Sequence, residues 1–202
     1  MKKLLCLVLT LGFLASCSSF KAERVGDKKA DEKGLEITDN WMGEDTRASV
    51  QKLLKKMKAH VGYKKTMRRF KGEPKVFIAE VQNNTSEAYF PIADFNDEFL
   101  NEISATGEFI LVDNKAREKI LNEITYQNDG MVSAETAKQI GKQLGADFMI
   151  FGNVYMKPEK RKGKTIKEYS VNLRMTNIET ATEVFRVRTR INKYSNKNSY
   201  SW

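Results

Sequence analysis

Apolar residues recur at helical spacing in two stretches of the chain. The first predicts a helix that begins near Asp45, and its apolar face holds Val50, Leu53, Leu54, Met57 and Val61. Asp45 or Thr46 is suited to cap the start of this helix, and Gly62 to end it. The second stretch has the same spacing and is lined by Ile92, Phe95, Phe99 and Ile103. Both patterns are typical of amphipathic helices that place one face in a core.

Other stretches predict strands. Residues 74–83 are apolar on both faces, which favours a central strand, and residues 108–113 and 146–157 predict two more strands. A polar turn at 158–164 then leads into a region with a clean period of two. There the apolar positions are Tyr169, Val171, Leu173 and Met175, and after a second turn Phe185, Val187, Thr189 and Ile191. These last two strands therefore have one buried face and one solvated face.

Two more helices are expected between the second and third strands. They cover residues 115–127 and a segment from Ser133 to Leu144, with Gly145 just past its end. Gly152, in the third strand, suits a close approach of two backbones. The resulting order is α-β-α-β-α-α-β-β-β. It predicts an α/β fold with a mixed central sheet flanked by helices and a C-terminal antiparallel meander.

The two ends of the chain look different from this middle part. Residues 18–40 are mostly polar and have no sustained period, so residues 17–40 are interpreted as a flexible tether. Residues 41–192 then form one domain, and residues 193–202 a frayed tail. Fully extended, the tether would reach about 75–80 Å.

The first residues have the pattern of an export signal. Lys2 and Lys3 precede an apolar run from Leu4 to Ala15, which is too short to span a bilayer. The sequence Leu-Ala-Ser-Cys at 14–17 resembles the bacterial lipobox. That resemblance implies a signal peptide at 1–16 and a lipid on Cys17. The alternative is an ordinary secretory signal followed by an incidental cysteine.

Charge narrows the choice of partners. The chain carries a formal net charge of +9, and removing Lys2 and Lys3 with a signal peptide leaves +7. This balance favours acidic partners or anionic surfaces. Residues 55–72 alone hold eight Lys and Arg. They are either a surface for membrane phosphates or an acidic partner, or an ordinary solvated helix face and connector.

Catalytic chemistry finds little support in the sequence. The only histidine is His60, within the basic region, and no nucleophile, phosphate-loop or metal-ligand motif is present. We therefore expect no catalytic residue, cofactor, metal or small-molecule substrate. No nucleic-acid-binding motif is found either.

Two features are candidates for recognition. Arg174, Arg186, Arg188 and Arg190 should project from the solvated face of the last two strands, and arginine suits carboxylate and phosphate partners. The alternative is that these charges only protect an exposed sheet from aggregation. The second feature is a loop aromatic pair, Tyr89 and Phe90, which either anchors a partner or closes the end of the core.

Three strings carry a resemblance over roughly residues 74–187: VFIAEVQNNTSEAYFPIADFNDEFLNEISATGEFILVD, AETAKQIGKQLGADFMIFGNVY and YSVNLRMTNIETATEVF. They resemble the LpoB-type outer-membrane lipoproteins that activate bifunctional penicillin-binding proteins. The resemblance implies a non-enzymatic activator that contacts such a synthase from the periplasmic side of the outer membrane. Ser18 after the cysteine agrees with an outer-membrane location.

Another function stays open, because related domains serve other envelope machines. The alternative is a structural or assembly lipoprotein of a secretion or flagellar apparatus. The tether is short and lacks Pro, whereas some family members have long, Pro-rich tethers. Its length makes reaching a synthase in the inner membrane costly in entropy.

Overall fold

A computed structural model describes residues 22–112 and 145–196. Its five strands are β1 (Lys75–Asn83), β2 (Ile110–Leu111), β3 (Phe148–Arg161), β4 (Lys164–Asn177) and β5 (Glu183–Asn196). They form one mixed sheet in the order β2-β1-β3-β4-β5. The β1 strand is parallel to both of its neighbours, whereas β3, β4 and β5 are antiparallel. The predicted mixed sheet with a C-terminal meander is confirmed.

The helices are α1 (Asp27–Ile37), α2 (Gly43–Ala59), α3 (Val61–Arg69) and α4 (Ile92–Ala105). Apolar side chains of α2, α3 and α4 meet one face of the sheet, for example Leu53, Tyr63 and Phe95. A smaller cluster that includes Phe77 and Met149 lies on the opposite face of the parallel part of the sheet. The β1 strand contributes to both clusters, which explains its unbroken apolar sequence and confirms that it is an inner strand.

A β-bulge in β1 connects the sheet to α4. Ile78 pairs with Ile150 but Val81 pairs with Gly152, so two residues of β1 lie opposite one residue of β3. The extra residue turns Val81 into the helix-side core. The side chain of Asn96 satisfies the displaced backbone, because its Oδ1 accepts from the Val81 N–H at 2.7 Å and its Nδ2 donates to the Val81 carbonyl at 3.1 Å.

Gly152 lies beside this bulge and confirms the expected close approach. A Cβ atom on Gly152 would be 2.2 Å from the carbonyl oxygen of Asn172 on β4. Only glycine leaves room for β3 and β4 to pair at this point.

The first predicted helix is interrupted near its end. The α2 helix ends at Ala59, and α3 starts again at Val61 after a single residue, His60. Gly62 therefore does not end a helix. It lies in the first turn of α3, where a Cβ would meet the Val184 carbonyl oxygen at 2.1 Å. The prediction that Val61 is a core residue is wrong, since Val61 is 77% exposed.

The start of α2 differs from the prediction as well. Asp45 lies inside the first turn, where its Oδ2 accepts a hydrogen bond from the Met42 N–H at 2.9 Å. The same carboxylate forms a 2.6 Å ion pair with Lys193 of β5, and both residues are buried. Nearby, the indole N–H of Trp41 donates to Thr46 Oγ1 at 2.9 Å. These contacts fix the N-terminal end of α2 to the sheet.

Both ends of the chain hold more regular structure than the sequence predicted. Residues 27–37 form α1, so the prediction of a fully flexible tether at 17–40 is wrong for this segment. At the other end β5 continues to Asn196, beyond the predicted start of the tail at 193. The strand predicted at 108–113 is reduced to the two residues of β2. The helices expected at 115–127 and 133–144 lie outside the described residues.

The turn between β3 and β4 is much tighter than expected. Residues 158–164 were predicted as a polar turn, but the strands continue to the Arg161–Lys164 pair. Only Lys162 and Gly163 form the turn, and both have positive φ, at 47° and 77°. Positive φ at both central positions is the requirement of a type I′ hairpin turn. The sheet therefore extends as a long three-stranded arm.

Candidate functional site

The strands β3, β4 and β5 present one face away from the helices, and we call it the open sheet face. It is formed by Asn153, Tyr155, Ile166, Glu168, Asn172, Arg174, Arg186, Arg188, Arg190 and Tyr194. Alternation along each strand places these residues opposite the core positions. The apolar partners on the other face are buried, whereas Arg186, Arg188 and Arg190 are exposed. The structure thus brings all four predicted arginines onto one face.

Register sets the spacing of these arginines. Arg174 pairs directly with Arg186, Asn172 with Arg188, and Ser170 with Arg190. Successive pairs on the same face are two residues apart, which is about 7 Å along a strand. The guanidinium groups therefore form a row along the edge strand β5, with a fourth group beside the first.

Each arginine has a local partner that orients it. Arg186 forms a 2.7 Å ion pair with Glu183, and Arg190 lies 3.5 Å from Glu168. Arg188 donates from Nε to Asn172 Oδ1. The guanidinium carbon of Arg174 lies 4.6 Å from the ring centre of Phe151, a cation–π geometry.

These contacts shift two arginine pKa values in opposite directions. The hydrogen bond to Glu183 raises the pKa of Arg186. Burial, and secondly the charge of Arg186, lowers the pKa of Arg174. Both side chains stay charged at neutral pH, because the ordinary pKa of arginine is above 12. Like charges directly opposite each other across two strands are unfavourable, and the carboxylate of Glu183, which pairs with Arg186, offsets part of this repulsion.

A line of hydrogen bonds crosses the open sheet face next to the arginines. Asn172 Nδ2 donates to Asn153 Oδ1 at 3.0 Å, and Asn153 Nδ2 donates to the Tyr155 hydroxyl at 3.3 Å. Together with the Arg188 contact, this line joins all three strands. It holds the polar side chains in fixed positions, which lowers the entropy that a partner's binding must overcome.

Exposed aromatic and aliphatic side chains complete the face. Tyr155 is 46% exposed, and further along the arm Ile166 and Tyr194 are 46% and 61% exposed and pair with each other. Ile166 and Tyr194 border a shallow depression of about 510 Å³ at the end of the arm. Sequence reasoning missed these three residues. None of them belongs to the positions at which the sequence shows a clean period of two, and Tyr194 lies in the segment predicted as a tail.

The predicted aromatic pair is divided by the structure. Tyr89 is 99% exposed, whereas Phe90 is 5% exposed and its ring centre lies 5.1 Å from that of Trp41. Phe90 is therefore a core residue, and its prediction as a partner contact is wrong. Tyr89 belongs to the loop after β1, and Glu87 of this loop accepts from the Tyr169 hydroxyl on the helix side of the sheet. Tyr89 does not join the arginines.

The single histidine has a structural role. His60 Nδ1 accepts from the Gly62 N–H at 3.1 Å, so this side chain caps α3. Within residues 22–112 and 145–196, no group of three His, Cys, Asp or Glu is arranged to hold a metal ion. None of the helices in this part of the chain is both long and apolar enough to cross a membrane. Cys17 lies outside the described residues.

Comparisons with known proteins agree with this architecture. A family model described as the peptidoglycan-synthase activator LpoB matches residues 45–191. The C-terminal domain of LpoB from Escherichia coli is 13% identical in sequence to this chain, with a TM-score of 0.51. The match covers 73% of this chain and 98% of the LpoB domain. The Salmonella enterica domain has the same identity and coverage with a TM-score of 0.49.

At this level of identity the solved structures show the fold alone. A search of curated proteins found no match. The family assignment therefore rests on the family model, which covers well over half of the chain. This chain belongs to the peptidoglycan-synthase activator LpoB family.

Proposed function

We propose that this protein activates a peptidoglycan synthase, a bifunctional penicillin-binding protein, by direct contact through the open sheet face. Membership in the LpoB family supports the activator role, and the family is described as an activator rather than as an enzyme. The observation that carries the proposal is the combination of oriented arginines with exposed tyrosines on one face.

This combination fits a protein partner. Arginine and tyrosine are enriched at protein interfaces, where they supply much of the binding energy. Arg188 and Arg190 are held by Asn172 and Glu168, so they are prepared to meet carboxylates of the synthase. Tyr155 lies within the same hydrogen-bonded line and offers a flat apolar surface on β3, across β4 from these arginines.

Activation by contact requires a preference for one state of the partner. A bound protein shifts a conformational equilibrium only by the difference in its affinities for the two states. The open sheet face therefore binds the active conformation of the synthase more tightly than the inactive one. The activator itself carries out no chemical step.

The experiment is a polymerisation assay with the full-length lipoprotein and a native bifunctional synthase. We expect the activator to raise the rate at which lipid-linked precursor is polymerised. The double variant Arg188→Ala and Arg190→Ala should lose most of this stimulation. The matched control is Lys64→Ala with Lys75→Ala, which removes the same charge at two exposed positions outside the open sheet face. Equal stimulation by both variants would exclude the open sheet face as the contact.

A second variant separates charge from geometry. Arg188→Lys with Arg190→Lys keeps both positive charges but loses the planar, forked donors of arginine. We expect partial loss of stimulation and weaker binding. Circular dichroism of each variant checks that the sheet is intact. Full activity of the lysine variant would mean that net charge alone attracts the synthase.

Anchoring is a separate part of the proposal. We infer a lipid on Cys17 that holds the protein at the outer membrane, with the domain facing the periplasm. The lipobox-like sequence supports this placement. Labelling cells with a palmitate analogue should mark the native chain and not Cys17→Ser. Unchanged labelling of that variant would contradict the lipid site.

The length of the tether supports the alternative function, a structural or assembly role in another envelope machine. As a helix, the eleven residues of α1 span about 16 Å, whereas an extended chain of that length spans about 36 Å. A shorter tether favours a partner near the outer membrane, such as a secretion or flagellar assembly. In-cell crosslinking through Tyr155 would identify the partner. A synthase supports the main proposal, and an outer-membrane assembly protein supports the alternative.

A further inference from the structure

The outward side of α2 and α3 carries an unusual concentration of positive charge. Residues 46–72 contain ten Lys and Arg and no Asp or Glu. The structure divides this stretch between two consecutive helices that pack on the same side of the sheet. We give the name basic helix face to six exposed cations of this stretch: Lys52, Lys55, Lys65, Arg68 and Arg69 of the two helices, and Lys71 just after α3.

Helical geometry directs these side chains away from the core. In α2 the buried positions are Val50, Leu53, Leu54 and Met57. With 3.6 residues per turn, Lys52 and Lys55 lie on the opposite side of the helix. In α3 the buried residue is Tyr63, and Lys65 and Arg69 lie opposite it. Both helices therefore present their charges to solvent.

Local carboxylates do not neutralise this face. Among the described residues, Lys58 pairs with Glu108 at 2.8 Å and Arg47 pairs with Glu44 at 3.0 Å, but neither cation belongs to the basic helix face. No carboxylate of the described residues forms an ion pair with Lys52, Lys55, Lys65 or Arg69. The open sheet face differs in this respect, because Arg186 and Arg190 both have acidic partners.

The chemistry of the face distinguishes between two kinds of anionic partner. Specific protein interfaces are depleted in lysine and have aromatic or apolar residues at their centre. The basic helix face is rich in lysine, and the large apolar side chain exposed along α2 and α3 is Val61, at 77%. Cations spread over a surface without an aromatic anchor suit a plane of phosphates, where each Lys or Arg strengthens binding roughly fivefold.

We propose that the basic helix face binds the anionic headgroups of a phospholipid membrane, with α2 and α3 lying along the lipid surface. The helices and the open sheet face are on opposite sides of the sheet. This docking therefore directs the open sheet face away from the lipid and leaves it free for a protein partner. A tether to the same membrane would favour docking by keeping the local concentration high.

The test uses the full-length chain reconstituted in vesicles, with a fluorescent label at an introduced cysteine. One variant carries Val61→Cys on the helix side, and the other Tyr155→Cys on the open sheet face. The vesicles contain a headgroup-attached nitroxide quencher in phosphatidylcholine, with or without phosphatidylglycerol. The chain without an introduced cysteine gives the background. We expect phosphatidylglycerol to increase quenching at position 61 and not at position 155.

Charge reversal provides the second arm. Replacing Lys52, Lys55, Lys65 and Arg69 by Glu should reduce quenching at position 61 to the phosphatidylcholine level. Four reversals at the tip of the arm, at Lys157, Lys160, Lys162 and Lys164, should leave it unchanged. Salt at about 1 M should abolish the quenching, since the Debye length falls to about 3 Å.

Several outcomes would overturn the proposal. They are equal quenching at position 61 in both lipids, stronger quenching at position 155, or a response of the position 61 label to polyglutamate but not to phosphatidylglycerol. The last result would assign the face to an acidic protein. No synthase is present in this assay, so its outcome is independent of the polymerisation experiment.

Discussion

At the scale of single residues, Asn96 has the clearest structural role. It satisfies both backbone groups of Val81 where the bulge in β1 disrupts the pairing with β3. Leaving these partly buried groups without partners costs about 1–3 kcal/mol. We expect Asn96→Ala to lower the free energy of unfolding by about that amount, measured by urea denaturation.

The control for this prediction is Asn101→Ala on the exposed side of the same helix. Alanine favours the helix at either position, so a difference between the two variants reports the contact with β1. Asn96→Asp keeps the acceptor but loses the donor, and should give an intermediate loss. Equal stability of the variants at 96 and 101 would contradict the role assigned to Asn96.

Asn96 also shows a limit of sequence reasoning. The helical spacing correctly predicted its buried neighbours Phe95, Phe99 and Ile103, because apolar burial leaves a regular pattern. A polar residue between them fits a solvated position equally well. Its partner exists only because β1 bulges against β3, and that register depends on residues about 70 positions apart in the sequence.

At the scale of elements, the hairpin between β3 and β4 gives a test of turn chemistry. Lys162 has a φ of 47°, in the left-handed region that disfavours most side chains. Asn tolerates this region and is the preferred residue before Gly in such turns. We expect Lys162→Asn to stabilise the protein by about 0.5–1 kcal/mol in thermal denaturation. Lys160→Asn removes the same charge within β3 and should not stabilise it.

The arm formed by this hairpin and the helix α1 were both missed by the sequence analysis, because neither has a regular buried face. Residues 157–164 are mostly charged because this arm extends beyond the helices, so both faces of its strands meet solvent over much of its length. A strand without a buried face has no period of two. Similarly, α1 has no buried residue, and so no apolar stripe marked it as a helix.

The junction after α1 makes stability depend on pH. Asp39 accepts from the Ser195 hydroxyl and forms a 2.9 Å ion pair with Lys167, and these contacts hold the pKa of Asp39 below its ordinary value of 3.8. Its contribution is therefore complete above about pH 4 and is lost as pH falls through the lowered value. We expect Asp39→Asn to destabilise the protein at pH 7.

The difference between native protein and Asp39→Asn should shrink as pH falls below about 4, because the unfolded state then binds its proton first. Urea denaturation across this range measures it. Asp97→Asn, on the exposed side of α4, is the control and should change stability little at neutral pH. A constant difference at all pH values would mean that Asp39 acts through packing rather than charge.

At the scale of the whole molecule, two charged surfaces lie on opposite sides of one sheet. The open sheet face could be predicted in part, because the period of two in β4 and β5 fixed which way the arginines point. Tyr194 could not, since its place on the face depends on how far β5 extends, and Tyr155 could not because the apolar first half of β3 has no period of two. The basic helix face was visible as a charge run, but only the structure shows that its cations point outward and form no ion pair with a carboxylate of residues 22–112 and 145–196.

The last prediction concerns reach and rests on the proposed contact with a synthase. Replacing the eleven residues of α1 by a flexible Gly and Ser sequence would add up to about 20 Å to the extended length of the tether. If reach limits the encounter, this replacement raises the yield of crosslinks between Tyr155 and the synthase in cells.

The matched control replaces α1 by eleven residues of a strongly helical sequence, which keeps the length short and should leave the yield unchanged. None of the residues of α1 is buried, so we expect α1 to act only as a spacer between the domain and the membrane. The crosslink yield should then rise with the flexible replacement and not with the helical one. Among the ion pairs of the described residues, one joins these two helices: Arg47 of α2 lies 3.7 Å from Asp27 of α1, and both side chains are exposed. The flexible replacement removes this ion pair. A lower yield with the flexible tether would show instead that α1 itself takes part in the contact.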